Sequence, residues 1–285
     1  MSDTLSNSPE SRRGIRPFAE ILVSLRFLTR IPVPFISTID PPSLARSMRF
    51  FGVAGAVIGA INGLILVALN WLHLPAMMVA ILACGFGLAL TGALHEDGLA
   101  DSADGLFGGR DQERRLLIMK DSRIGTYGAS ASMVSLLLRI SAYITILVLP
   151  GYIVIMLLAA TGAFSRAMVV DMMWATKSAR SDGLSSSAGR PSRNSALFAI
   201  LTSGIFTLYA CAFISADVGI LAVAAASLMT ALVRRTAIRL IGGQTGDICI
   251  SWLPDFDSPA DLPAAESLKY TREGLQGGRH DDDTI

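Results

Sequence analysis

The chain has 285 residues, a formal net charge of +1, 52% hydrophobic and only 16% charged residues, with a mean hydropathy of +0.52. Such a composition excludes an ordinary water-soluble globule, and near-neutrality without a basic stripe leaves no face for nucleic acid. Cys84 and Cys211 lie inside apolar runs and Cys249 stands alone, so the cysteines form neither a disulfide framework nor a metal-ligand pattern and read as packing residues.

Residues 1–16 form a polar tail carrying Arg12, Arg13 and Arg16, with no short apolar core and small-residue cleavage site, so no cleaved signal is expected. Residues 17–34, PFAEILVSLRFLTRIPVP, are apolar but interrupted by Glu20, Arg26 and Arg30 and ended by two prolines. An interfacial or re-entrant helix suits that pattern better than a span. Six stretches then reach the ~20 residues that cross a bilayer: 51–71, 74–95, 129–149, 151–175, 196–216 and 217–240. Only helices satisfy their own backbone in lipid, so the expected fold is an all-α polytopic membrane bundle. In the first span Gly55, Gly59 and Gly63 recur every four residues, a small-residue face for close helix packing.

The connections sort into two kinds. Residues 72–73, Pro150-Gly151 and Asp217 are minimal, whereas 96–128, 176–195 and both termini are long and rich in arginine. By the positive-inside rule the long connections face the cytoplasm, giving three helical hairpins with both chain ends inside. Residues 17–250 then make one membrane-embedded catalytic domain, and the polar tail 251–285, with Pro, Gly and Asp281-Asp-Asp283, reads as disordered.

The second span runs straight into Ala93-Leu-His-Glu-Asp-Gly-Leu-Ala-Asp-Ser-Ala-Asp-Gly105. If the helix continues, Asp97, Asp101 and Asp104 fall at i, i+4 and i+7, within roughly 60° of one face. Three carboxylates there repel one another unless a cation lies between them. Hard oxygen ligands suit Mg²⁺ or Mn²⁺, which bind a few carboxylates while gripping substrate phosphates. Glu96 adjoins this set, and the neighbouring His95 reads as a polar interface residue. The same connection holds Arg110 and then Ile118-Met-Lys-Asp-Ser-Arg-Ile-Gly-Thr-Tyr-Gly128. Lys120 and Arg123 can neutralise phosphate oxygens, Gly125 and Gly128 permit a turn whose N–H groups face an anion, and Asp121 offers a base.

Further along, Arg139 sits well inside one span, and Arg166 shares another with Asp171, although i+5 spacing does not favour a pair on one helix face. After the last span, Gly242-Gly-Gln-Thr-Gly-Asp247 is a glycine-rich turn in which Thr245 and Asp247 could meet phosphate or metal, or which could simply stop a helix. No Ser/His/Asp series, zinc spacing or Walker loop is present.

Taken together, FLTRIPVP at 27–34, GALHEDGLADSADGLFGG at 92–109, RRLLIMKDSRIGTYGA at 114–129, Ser165-Arg166, AR-x-DGL at 179–184 and GGQTGD at 242–247 resemble the cobalamin synthase family, the adenosylcobinamide-GDP ribazoletransferases. The resemblance runs in order over about residues 18–250. It implies a polytopic, Mg²⁺-dependent inner-membrane enzyme with its active site on the cytoplasmic side. The implied reaction joins adenosylcobinamide-GDP to α-ribazole, or to its 5′-phosphate, and releases GMP. On that reading Glu96, Asp97, Asp101 and Asp104 hold Mg²⁺ across the diphosphate, and Arg110, Lys120 and Arg123 steady the leaving phosphate. Asp121, with Asp104 as the rival, is the expected base for the ribazole 5′-hydroxyl, while Arg166, Asp182, Thr245 and Asp247 close the substrate cavity. One departure from the family pattern stands out: Asp247 is followed by Ile-Cys-Ile-Ser-Trp-Leu instead of a small-residue turn and a further apolar helix.

Two other readings compete. CDP-alcohol phosphotransferases also set spaced aspartates at a span end, but they expect DGxxAR, and here Asp104-Gly105 is followed by Leu-Phe-Gly-Gly-Arg110. A divalent-cation transporter would place its acids near the bilayer midplane within paired repeats, and neither is found.

Overall fold

Small residues recurring on an apolar helix let two backbones meet, and that contact builds the centre of this fold. In the computed structural model, which describes residues 17–32, 42–181 and 184–250, all regular structure is helical. The N-terminal tail, Asp182 and the tail 251–285 lie outside the described residues. Helix α1 is Pro17–Leu28, and a short α2, Leu44–Ser47, leads through a 3₁₀ turn at Met48–Phe50 into α3, Phe51–Trp71. There follow α4 (Ala76–Thr91), α5 (Leu94–Gly108), α6 (Gln112–Ile118), α7 (Thr126–Ile146), α8 (Gly151–Ala175), α9 (Leu184–Ala188), α10 (Arg193–Cys211), α11 (Ala216–Ile241) and α12 (Gly246–Ile250).

Helices α3 and α8 are the central pair. A Cβ built on Gly55 would meet the Gly162 carbonyl, one on Gly59 would meet that of Leu158, and one on Gly162 would meet that of Gly55. The expected glycine face is therefore a backbone-to-backbone seam. Such a seam matters in lipid, where apolar side chains gain nothing by leaving one hydrocarbon for another and helices associate through close packing. Helix α10 packs on the other side of α8, where the Thr207 hydroxyl donates to the Ala160 carbonyl at 3.3 Å. By contrast α7 and α11 expose most of their length, including Leu137, Leu138, Leu221 and Leu228, as suits lipid-facing helices.

Among the described residues five helices are long and apolar enough to cross a membrane, and the bent pair α4 and α5, counted as one span, makes six. The correction to the sequence reading lies in that pair. The stretch 74–95 does not run through as one helix, because α4 is only 16 residues long and ends at Gly92 with φ 75°. Ala93 follows, also left-handed at φ 65°. Two successive left-handed residues turn the chain, so α5 leaves α4 at 86° and carries its carboxylates out of the span. Arg30 covers the bend: its N–H donates to the Leu90 carbonyl at 3.1 Å, and its side chain fills the space a Gly92 Cβ would need.

Helix α1 is too short to span, as expected, yet it is packed against α2 and α3 and does not stand apart. Phe27 stacks on Phe51 at 5.5 Å between ring centroids. Glu20 is 1% exposed and bridges Arg46 at 2.9 Å and Arg49 at 2.6 Å, which is how a buried carboxylate is made tolerable.

Candidate active site

Helix α5 crosses the first turns of α7 and packs against α6 and α12, so its acidic residues meet three different surroundings. On the α7 side, Asp104 is 8% exposed and accepts the backbone N–H of Gly125 at 2.6 Å and of Gly128 at 2.9 Å. The glycine turn does face an anion, as the sequence suggested, and the anion is the protein's own. Asp104 caps α7 from another helix, satisfying N–H groups that a helix start leaves unpaired. A Cβ at Gly125 or Gly128 would collide with that carboxylate.

Toward the bundle interior, Glu96 pairs with Arg139 of α7 at 2.8 Å, and His95 Nε2 lies 2.5 Å from the Arg166 guanidinium of α8. Arg139 is thus an internal pair that ties α5 to a span. Asp171 does not turn to Arg166; it accepts from Arg234 of α11 at 3.2 Å, because a partner on a neighbouring helix is nearer than one five residues along its own.

The remaining face holds Asp97, exposed, and Asp101, half-buried, and the far end of the chain brings them a third carboxylate. Helix α11 stops at Gly242 with φ 74°, and the residues after it are pinned by the segment following α8. The Gln244 N–H donates to the Lys177 carbonyl at 2.9 Å, and the Ala179 N–H to the Gln244 carbonyl at 2.7 Å. The buried Gln244 amide reaches Ser185 Oγ at 2.6 Å. Two side chains of α6 hold the same end: Gln112 donates to the Ile241 carbonyl at 2.9 Å and Arg115 to that of Leu240 at 3.2 Å. Thr245 is buried, and its hydroxyl accepts the Ile248 N–H at 3.3 Å, so it caps α12. Asp247 follows in the first turn of α12, 3.6 Å from Arg180.

Electrostatics show how crowded this face is. Burial, together with Asp97, Asp247 and Asp104, pushes the Asp101 carboxyl up to about 7, against the lowering effect of Arg180. Asp247 is raised as well, first by burial, with Arg180 opposing and Asp97 adding to the rise. Like charges that raise one another's pKa are what a bound cation relieves. The Asp247 Oδ2 atom is buried without a hydrogen-bond partner, and so is Arg180 Nε. Among the described residues no three His, Cys, Asp or Glu side chains converge to enclose an ion by themselves. The donor set fits a hard cation held by one or two carboxylates and completed by water and phosphate oxygens, the usual manner for Mg²⁺.

Arg110, Lys120 and Arg123 are exposed on the connection around α6. Arg123 is already engaged by Asp121, with Nε at 2.9 Å and Nη2 at 2.6 Å. Those hydrogen bonds hold the Asp121 carboxyl down at about 2, which makes it a weak proton acceptor. Sequence reasoning did not single out Arg180, Gln244 or the Glu96–Arg139 pair. Arg180 lay inside a motif already noted, whereas Gln244 looked like a neutral turn residue.

Comparison with known proteins places these features. Residues 20–249 match the family model described as cobalamin-5-phosphate synthase. The chain is 40% identical over 240 residues to the adenosylcobinamide-GDP ribazoletransferase of Azorhizobium caulinodans, covering 83% of this chain and 91% of that one. It is 40% identical over 230 residues to the enzyme of the same name from Bradyrhizobium diazoefficiens, covering 81% and 86% of the two chains. For that of Xanthobacter autotrophicus the figures are 41% over 251 residues, 80% and 89%. No solved structure matches the chain.

Proposed function

This chain belongs to the cobalamin-5-phosphate synthase family, and we propose that it joins adenosylcobinamide-GDP to α-ribazole or its 5′-phosphate with release of GMP. The reaction would take place at the cytoplasmic face of the inner membrane and depend on Mg²⁺. The observation that carries this reading is the packing of α12, which bears Asp247, against α5, which bears Asp97 and Asp101, with Arg180 3.6 Å from Asp247.

The bond changes are those of a phosphoryl transfer. An acceptor hydroxyl oxygen bonds to the phosphorus on the corrinoid side of the diphosphate, the bond from that phosphorus to the bridging oxygen breaks, and GMP departs with the bridging oxygen. Because the phosphorylated acceptor already carries its phosphate on the 5′-oxygen, the hydroxyl common to both acceptors is a secondary ribose hydroxyl, not the 5′-hydroxyl expected above. One or two carboxylates from among Asp97, Asp101 and Asp247 would hold Mg²⁺, with water and phosphate oxygens completing its shell; the ion when bound would neutralise charge on the diphosphate and the departing phosphate. Arg180, with its unpartnered Nε, is placed to donate to a phosphate oxygen, while Arg110 and Lys120 add positive charge from the exposed connection. In a loose transition state there is little covalent chemistry for the protein to perform, and positioning with charge stabilisation suffices. The hydroxyl proton can then leave late, so Asp121, held near 2 by Arg123, is not needed as a strong base. Asp104, engaged by the Gly125 and Gly128 amides, fixes α5 in place, while Glu96 pairs with Arg139 and keeps Oε2 buried without a hydrogen-bond partner.

The test is to incubate the purified protein in detergent with adenosylcobinamide-GDP, α-ribazole and Mg²⁺. GMP should form and should cease on chelation with EDTA. No GMP, CMP release from a CDP-alcohol instead, or ion flux in proteoliposomes without nucleotide release would overturn the proposal.

A further inference from the structure

Residues of α3, α4, α7 and α8, with His95 of α5 and Ile214 and Val218 near the start of α11, line an open-sided cavity of about 560 Å³. Its walls are largely apolar, with Ile58, Ala142, Ile146, Leu157 and Leu158 among them, and a few polar groups converge on it. Pockets that bury a drug-sized molecule have this size and mixture, whereas a corrin ring carrying a nucleotide is far larger.

The polar groups do not balance. Two guanidinium groups, Arg139 and Arg166, line the cavity, and one carboxylate serves both: Glu96 touches Arg139 at 2.8 Å and reaches Arg166 only through space. The partners of Arg166 are the Ser165 hydroxyl at 2.8 Å and His95 at 2.5 Å; among the described residues no carboxylate pairs with it, and its Nε atom is buried without a hydrogen bond. Across the cavity Asn62 donates to the Tyr143 hydroxyl at 2.6 Å, while its own Oδ1 is buried and unpartnered. A buried guanidinium with no carboxylate in contact is unfavourable unless something else brings the anion, and such residues within spanning helices mark functional sites.

We propose that this cavity is a phosphomonoester site in which Arg166 binds the 5′-phosphate of the phosphorylated acceptor while the apolar walls hold its bicyclic base. The assignment rests on the reaction proposed above. Thr91 and His95 line the cavity where α4 bends into α5, and His95 contacts Arg166, so a phosphate on Arg166 lies beside the start of the acidic helix. Charge-assisted hydrogen bonds from a planar guanidinium favour phosphate over a hydroxyl at the same place. Arg166 is therefore a specificity residue that selects the phosphorylated acceptor. An anionic phospholipid head group offers the same chemistry from the bilayer, and the test separates the two.

The experiment places the wild type, Arg166→Lys and Arg166→Gln in nanodiscs of neutral phosphatidylcholine and measures kcat/KM for α-ribazole 5′-phosphate and for α-ribazole. The wild type should prefer the phosphorylated acceptor, and Arg166→Gln should reduce that preference by a factor of ~10 or more, chiefly through the KM of the phosphorylated acceptor, with partial rescue by Arg166→Lys. An unchanged preference, or equal rises in both KM values, overturns the site. Should Arg166→Gln fail to fold, the wild type decides, because α-ribazole 5′-phosphate alone, without donor or metal, should raise its Tm more than α-ribazole or inorganic phosphate does. Anionic phospholipid that copurifies with the wild type and resists displacement by α-ribazole 5′-phosphate would assign the cavity to lipid and overturn the proposal. Binding through Arg166 without any GMP release would sink the proposed reaction and leave this site standing; turnover of both acceptors regardless of Arg166 would do the reverse.

Discussion

The α3–α8 seam and the acidic face of α5 answer opposite demands. Along the seam no space is left: Gly55, Gly59 and Gly162 bring carbonyl groups of one helix to where side chains of the other would begin. On α5 the chain keeps charged groups together without completing them, with Asp101 pushed up to about 7 and Asp247 Oδ2 and Arg180 Nε buried and unpartnered. The contrast teaches that backbone contact makes the tightest part of this molecule, while the carboxylates near α5 raise one another's pKa where the packing is looser. Between the two stand Asp104, which accepts two backbone N–H groups of α7's start, and Glu96, which pairs with Arg139.

The largest expected effect comes from breaking the seam. Gly59→Leu puts a side chain where the Leu158 carbonyl lies; overpacking of this kind costs about 1–3 kcal/mol and often more, and in lipid no hydrophobic gain offsets it. The expected outcome is loss of monodisperse protein on size-exclusion chromatography. Next, Asp97→Asn, Asp101→Asn and Asp247→Asn should each lower GMP release by ~10²–10³-fold, the usual scale for removing one transition-state charge contact, with Tm little changed. Near-normal turnover in Mg²⁺ would remove the metal role. Asp104→Asn belongs to the other class: the Gly125 and Gly128 N–H groups meet different carboxylate oxygens, and an amide turns one of those into a donor, so about 1–3 kcal/mol of stability should be lost, and activity should fall together with Tm.

A pH titration sharpens the same comparison. Asp101 has a folded-state pKa raised from 3.8 to about 7, so the folded protein binds its proton more tightly than the unfolded chain does. The resulting stabilisation is fully present below pH ~4 and is lost as pH rises through ~7. Metal-free protein should therefore show a falling Tm between those values from this group, and Asp101→Asn or added Mg²⁺ should flatten the slope. The smallest effect is expected of Asp121→Asn. An exposed ion pair contributes little, so turnover should change by less than ~3-fold, and a loss of ~100-fold would restore Asp121 as the base.

Much of the fold was legible because bilayer thickness and helix rise set the length of a span. The boundaries 51–71 and 151–175 coincide with α3 and α8, and the small-residue period at Gly55, Gly59 and Gly63 correctly announced the seam. The bend between α4 and α5 was not legible, because hydropathy averages over 74–95 while the turn depends on two residues, Gly92 and Ala93, entering the left-handed region under cover of Arg30. In the site, the i, i+4, i+7 spacing identified the acidic helix but not its division of labour. Spacing places side chains on a face, whereas the Gly125 and Gly128 amides that claim Asp104 and the Arg139 that claims Glu96 arrive from residues far along the chain.

From the residues alone came the helical, membrane-crossing class of this protein, the acidic helix and the family, because hydropathy, helical period and short motifs are local properties. The Gly125 and Gly128 amides on Asp104, the arrival of Asp247 and Arg180 near the acidic helix, and the buried Arg166 at the cavity came only from tertiary structure. Charge pairing and burial depend on distances through space, and no local pattern in a chain records which of its distant segments will be neighbours.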